Sequence, residues 1–149
     1  MKLPKDLSVR QGFSLIELVV ALALLGIIVS MGAVFAVRQI EQGSLDAERD
    51  LYVSLLYESR VSALANVSGT HHGVHIAPNA FVLFEGASFE SSSPDTHVVV
   101  QRHESVNVEG LDVAFAPLTA YVAGDKTISF ESANAERSVT IIEIGSIDW

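Results

Sequence analysis

FSLIELVVALALLGIIVSMGAVFAV, residues 13–37, is the stretch whose reading decides the rest. It is almost wholly apolar, and Glu17 is its only charged residue. As a helix it would be roughly 37 Å long at about 1.5 Å per residue, enough to cross a hydrocarbon core of about 30 Å. Lys2, Lys5 and Arg10 precede it, opposed only by Asp6. By the positive-inside rule that end stays in the cytoplasm, and the bulk of the chain lies on the far side.

Three readings compete for this stretch. One is an ordinary transmembrane anchor. Another is a secretory signal peptide: Val34-Phe35-Ala36 would pass as a small-residue cleavage site, although the apolar run is longer than a usual signal core. The third explains Glu17. Burying an acid costs on the order of 2.5–3.5 kcal/mol for Asp at a helix centre on insertion scales, and less near the interface. A carboxylate there needs a partner, and neither of the first two readings supplies one.

Gln11-Gly12-Phe13-Ser14-Leu15-Ile16-Glu17-Leu18 resembles the processing site of type IV prepilins and type II secretion pseudopilins. The resemblance implies that prepilin peptidase cuts after Gly12 and that the new terminus, Phe13, is N-methylated. It also implies that Glu17, fifth in the mature chain, pairs with the terminal amine of a neighbouring subunit. The physics is consistent: an ammonium and a carboxylate that meet in a low-dielectric setting attract strongly, and each offsets the other's desolvation. Staggered subunits could use the pair to set register. In one respect the chain departs from the family: many relatives carry proline at the twenty-second mature position, where this sequence has Val34. Gly26 and Gly32 weaken the helix nearby by about 1 kcal/mol each relative to alanine, and a kink is left open.

Beyond the apolar run, Arg38 to Gln42 marks the change from lipid to water. The helical pattern then continues without proline to about Asn66. Leu45, Tyr52, Leu55, Leu56 and Ala63 recur at helix spacing and form one apolar stripe, with Glu41, Asp46, Glu48, Asp50 and Glu58 as polar character around it. One helix is expected over 14–66, with softening near Gly26, Gly32 and Gly43. A strict heptad is not sustained, which counts against a coiled coil. Residues 67–149 read as β-rich. Runs at 74–76, 81–84, 97–100, 106–108, 111–115, 127–130 and 139–144 are β-branched or aromatic with partial alternation. Breakers at 78–79, 90–95, 109–110 and 124–125 separate them, and short connections favour antiparallel pairing. Residues 91–95, SSSPD, are the expected flexible loop. The residues 58–63 with Val74-His75-Ile76, and the last runs from Val113 to Gly145, resemble the helix end and closing strands of GspH/FimT-like minor pseudopilins.

Charge and composition narrow the functions. The chain has 149 residues, a formal net charge of −9 and no cysteine. Disulfides and thiolate chemistry are therefore excluded. After residue 38 the cations are Arg49, Arg60, Arg102, Lys126 and Arg137, too scattered in an acidic chain for phosphate contacts, so nucleic acid is not an expected partner. His71, His72 and His75 form the one cluster with a metal-like look. No neighbouring carboxylate or cysteine completes a set, Gly73 would break the strand geometry, and a turn with exposed histidines is the plainer reading, so no metal or other cofactor is expected. No nucleophile elbow or phosphate loop is present, the acids read as a solvated surface, and an enzyme is not expected.

The expectation is an α+β, pilin-like fold. Residues 1–12 are a prepilin leader, 13–37 a transmembrane and filament-core helix, 38–66 its amphipathic continuation, and 67–149 an antiparallel β domain packed on that continuation. The resemblance implies a structural minor pilin or pseudopilin. It would be a single-pass inner-membrane protein of a bacterium, with its N-terminus cytoplasmic and its C-terminal domain periplasmic. Its partners would be prepilin peptidase, other pilin subunits, an assembly platform, and lipid before assembly. The alternatives are a DNA-uptake minor pilin and an exported soluble β domain.

Overall fold

A computed structural model describes residues 14–103, 106–133 and 135–149, the side chains of 31–41 excepted. The described chain falls into two units that divide between Val37 and Arg38.

One helix, α1, runs from Leu15 to Leu64 and enters both units. It passes through Gly26, Gly32 and Gly43 without interruption, so the expected softening does not break it. In the first unit its apolar side chains from Leu15 to Val29 are bare, between 49% and 81% exposed, so no face of it is covered. Among the described residues, no helix is long and apolar enough to cross a membrane. The stretch expected to span, 13–37, begins outside the described residues, and its side chains from 31 onward lie outside them too.

In the second unit α1 lies against two antiparallel sheets. Eight strands follow it: β1 (His72–Ala77), β2 (Ala80–Glu85), β3 (Val98–Gln101), β4 (Asn107–Glu109), β5 (Val113–Phe115), β6 (Lys126–Ser132), β7 (Ala135–Ile141) and β8 (Ile147–Asp148). The first sheet has the order β3-β2-β1-β5 and the second β4-β6-β7-β8. The β1–β2 hairpin turns at the expected Pro78-Asn79, with Ala77 opposite Ala80 and His72 opposite Glu85. The expected stripe is the helix face that packs: Leu45, Tyr52, Leu55, Leu56 and Ala63 are all buried. They join Val74, Phe81 and Phe115 of the first sheet and Ile128, Phe130 and Ile141 of the second in one cluster. Tyr52 bridges the sheets, its ring 4.9 Å from Phe81 and 5.6 Å from Phe130.

Several expectations need correction. Asn66 adopts a left-handed conformation, φ 54°, and ends the helix slightly early. The last expected run, 139–144, is split. Strand β7 stops at Ile141, the Gly145 N–H bonds the Ile142 carbonyl at 2.7 Å, and the chain returns as β8. Gly145 has φ 76°, and a Cβ there would strike the Ala120 carbonyl. Gly73 does not break its strand. It sits inside β1 because the Phe84 ring lies across it, where any Cβ would collide. The loop expected to be flexible is folded: Ser88 and Ser91 bond each other at 2.9 Å, and a 3-10 turn covers Pro94–Thr96. Phe89 of the same loop stacks on His75 at 3.7 Å and on His97 at 4.9 Å.

The acids are not all solvated either. Glu48 is buried, 4% exposed, beside Arg102. Arg102 Nε donates to Glu48 Oε1 at 3.2 Å, Nη1 to the Ala77 carbonyl at 2.9 Å and Nη2 to the Val106 carbonyl at 3.0 Å. The guanidinium also lies 5.2 Å from the Phe81 ring centroid. One side chain thereby ties α1 to the β1–β2 turn and to the segment entering β4.

Candidate functional site

The chemistry expected of this chain is at the start of α1. Gly12 and Phe13 lie outside the described residues, and the first residue described is Ser14. Serine is a preferred residue before a helix because its hydroxyl can accept an otherwise orphaned N–H. Here Ser14 Oγ accepts the Glu17 N–H at 3.2 Å, and the Ser14 carbonyl accepts the Leu18 N–H at 3.2 Å. Ser14-Leu15-Ile16-Glu17 is thus half of a capping box, a helix-start signal that is visible in the sequence itself. The returning half is not made. Among the described residues the Glu17 carboxylate has no partner, although it sits in the first turn, where the helix dipole favours a negative charge.

Beyond Ser14, the described surface around Glu17 is apolar. Leu15, Ile16, Leu18 and Val19 are at least half exposed. Farther along, the Ser30 hydroxyl bonds back to the Ile27 carbonyl at 2.8 Å, so it is satisfied without water. A bare apolar helix with one unpaired acid near its start can insert in lipid or pack on similar helices, and it can accept one cation.

The histidines are dispersed rather than gathered, which corrects the picture of an exposed turn. His72 is buried and its Nε2–H donates to the Val67 carbonyl at 2.9 Å. His75 Nδ1 is 2.8 Å from Asp112 Oδ1. His71 lies at the edge of a separate cleft. Among the described residues no three His, Asp or Glu side chains are placed to hold a metal ion.

Cations of the second unit are largely committed to neighbouring acids. Arg49 lies 2.7 Å from Asp50, Arg137 3.1 Å from Asp46, and Arg102 is held by Glu48. Arg60 and Lys126 have no ion-pair partner among the described residues. Two of the clefts that open on this unit are lined by an arginine or a lysine. The roomier, about 650 Å³, has Arg102 as its cation, already saturated by Glu48 and backbone carbonyls. The other, about 400 Å³, is lined by Lys126.

A family model described as the prokaryotic N-terminal methylation motif matches residues 7–33. No curated protein and no solved structure matches the chain. The chain therefore carries a prokaryotic N-terminal methylation motif, and the matched residues take in Gly12, Phe13 and Glu17.

Proposed function

We propose that this chain is a structural minor pilin or pseudopilin of the GspH/FimT-like kind. In this reading prepilin peptidase cuts after Gly12, Phe13 is methylated, and an assembly platform builds the subunit into a type II secretion pseudopilus or a type IV pilus. Before assembly, 13–37 crosses the inner membrane once with its N-terminus in the cytoplasm and the β-rich unit beyond. The subunit has no catalysis of its own.

The match of the methylation motif over residues 7–33 carries this reading. Two features of the structure support it. The apolar face of α1 is bare from Leu15 to Val29, as a helix destined for lipid or a filament core needs. The Glu17 carboxylate has no partner among the described residues and is open to the amine of a second subunit. Pairing of arginines with acids, at Asp50, Asp46 and Glu48, supports secretion over DNA uptake, because cations so occupied are poor phosphate ligands.

Mass spectrometry of the mature protein, taken from membranes of cells that contain a prepilin peptidase, tests the pathway. A terminus at methylated Phe13 is expected, and a terminus at Val37 would mean a removed signal peptide and would overturn the reading. In the same cells Glu17→Ala should be cleaved normally yet be lost from filaments; normal incorporation would remove the amine-pairing role.

A further inference from the structure

The second cleft is built on the face of the first sheet turned away from α1. Side chains alternate across a strand, and Val113 and Phe115 of β5 face the core. Ala114 between them therefore faces outward, where it pairs in register with Gly73 and lines the cleft with Phe84 and Ala116. The two alanines leave about 400 Å³ open over an apolar floor. That volume falls within the roughly 300–1,000 Å³ typical of ligand sites.

The rim is polar, and its groups divide by occupation. Asp112 is held by His75 at 2.8 Å and the Ser88 hydroxyl by Ser91 at 2.9 Å. His71, Tyr121 and Lys126 have no side-chain partner among the described residues. All three can donate hydrogen bonds, and Lys126 brings a positive charge. This is the one described lysine of an acidic chain, and none of the described carboxylates pairs with it. Unengaged donors gathered over a small apolar floor are complementary to an anion with a short hydrocarbon body. A carboxylate fits better than a phosphate, since Lys126 is the sole full cation on the rim and Asp112 would repel a second negative charge.

We propose that this cleft binds a carboxylate on a short apolar body, with Lys126 taking the carboxylate, His71 and Tyr121 supplying hydrogen bonds, and Ala114, Ala116 and Phe84 receiving the hydrocarbon. The same chemistry is offered by a free short-chain acid and by the C-terminal residue of a polypeptide. Binding here does not depend on the filament role of α1.

The test uses the full chain in detergent micelles, with the methyl signals of Ala114 and Ala116 followed by NMR. Three probes are titrated: acetyl-Ala-Leu with a free carboxylate, its C-terminal amide, and butyrate. Saturable shifts with the free-acid dipeptide are expected, and the amide should bind at least about tenfold more weakly because it lacks a charge-assisted bond. Lys126→Gln should bring acid and amide to the same affinity, and Ala123→Leu, which fills the cleft from its rim, should weaken both. Butyrate binding as tightly as the dipeptide would support the site and identify its ligand as a free small acid; dipeptide binding without butyrate binding would support a polypeptide end. Equal affinity for acid and amide in the unaltered chain, or no saturable shift with either acid, would overturn the proposal.

Discussion

Tyr52 shows what a single residue does inside this core. Its ring touches both sheets, while its hydroxyl is buried with no hydrogen-bond partner among the described residues. Burial first, and then the negative charge of Asp112, hold the phenol well above the usual tyrosine range. The folded protein thus keeps a proton that the unfolded chain gives up above pH about 10, so folding loses stability as pH rises past that value. Tyr52→Phe keeps the ring and removes the unpaired group, whose burial costs about 1–3 kcal/mol. The variant should be at least as stable as the original at neutral pH and lose less stability between pH 9 and 11, roughly one proton's worth. Unfolding followed by the fluorescence of Trp149, the single tryptophan, measures both. A marked loss of stability at neutral pH would show that the hydroxyl is bonded after all.

The elements differ in how far they could be read in advance. The helix face was legible because five apolar residues repeat at its period, and the β1–β2 hairpin because Pro78-Asn79 stops one β-branched run before the next. Strand β8 has two residues, too few for any periodicity to register, and it exists because the Gly145 turn delivers it to β7. Residues 91–95 looked flexible because the order of the loop around them comes from contact between Phe89 and His75, which are brought together only when β1 has formed. Stacked aromatic pairs contribute about 0.5–1.5 kcal/mol beyond the area they bury. Phe89→Ala should therefore release this loop and leave the sheets in place. Hydrogen exchange at Gly86 and Ser92, whose N–H groups bond His71 and Phe89 carbonyls, should speed up, while β6 and β7 stay protected. Unchanged exchange at both amides would mean the serine contacts alone hold the loop.

Across the whole molecule, the motif at 7–33 was legible because its residues are adjacent in the chain, and the cleft was not because its lining comes from several separate segments. Glu48 was misread for the same reason: its partner Arg102 lies 54 positions away. The pair joins the helix to both halves of the β-rich unit, so it should govern the stability of that unit as one body. Removing one member of a buried pair leaves an uncompensated charge and costs about 3–5 kcal/mol, whereas replacing both by apolar residues can be nearly neutral. Arg102→Leu alone should thus lower the unfolding midpoint sharply, and Glu48→Leu with Arg102→Leu should recover much of it. Additive losses in the same fluorescence-monitored unfolding would show that the two charges act independently.

The guanidinium that joins Glu48 to the β1–β2 turn and to the segment entering β4 has an evolutionary side as well. A lineage that altered either codon first would pass through a poorly folded ancestor, whatever the second change later restored. The two positions are therefore expected to change together: replacing both by apolar residues can be nearly neutral, but each single change passes through a destabilised form. The apolar face of α1 carries no such coupling, since among its bare side chains one aliphatic residue can stand in for another.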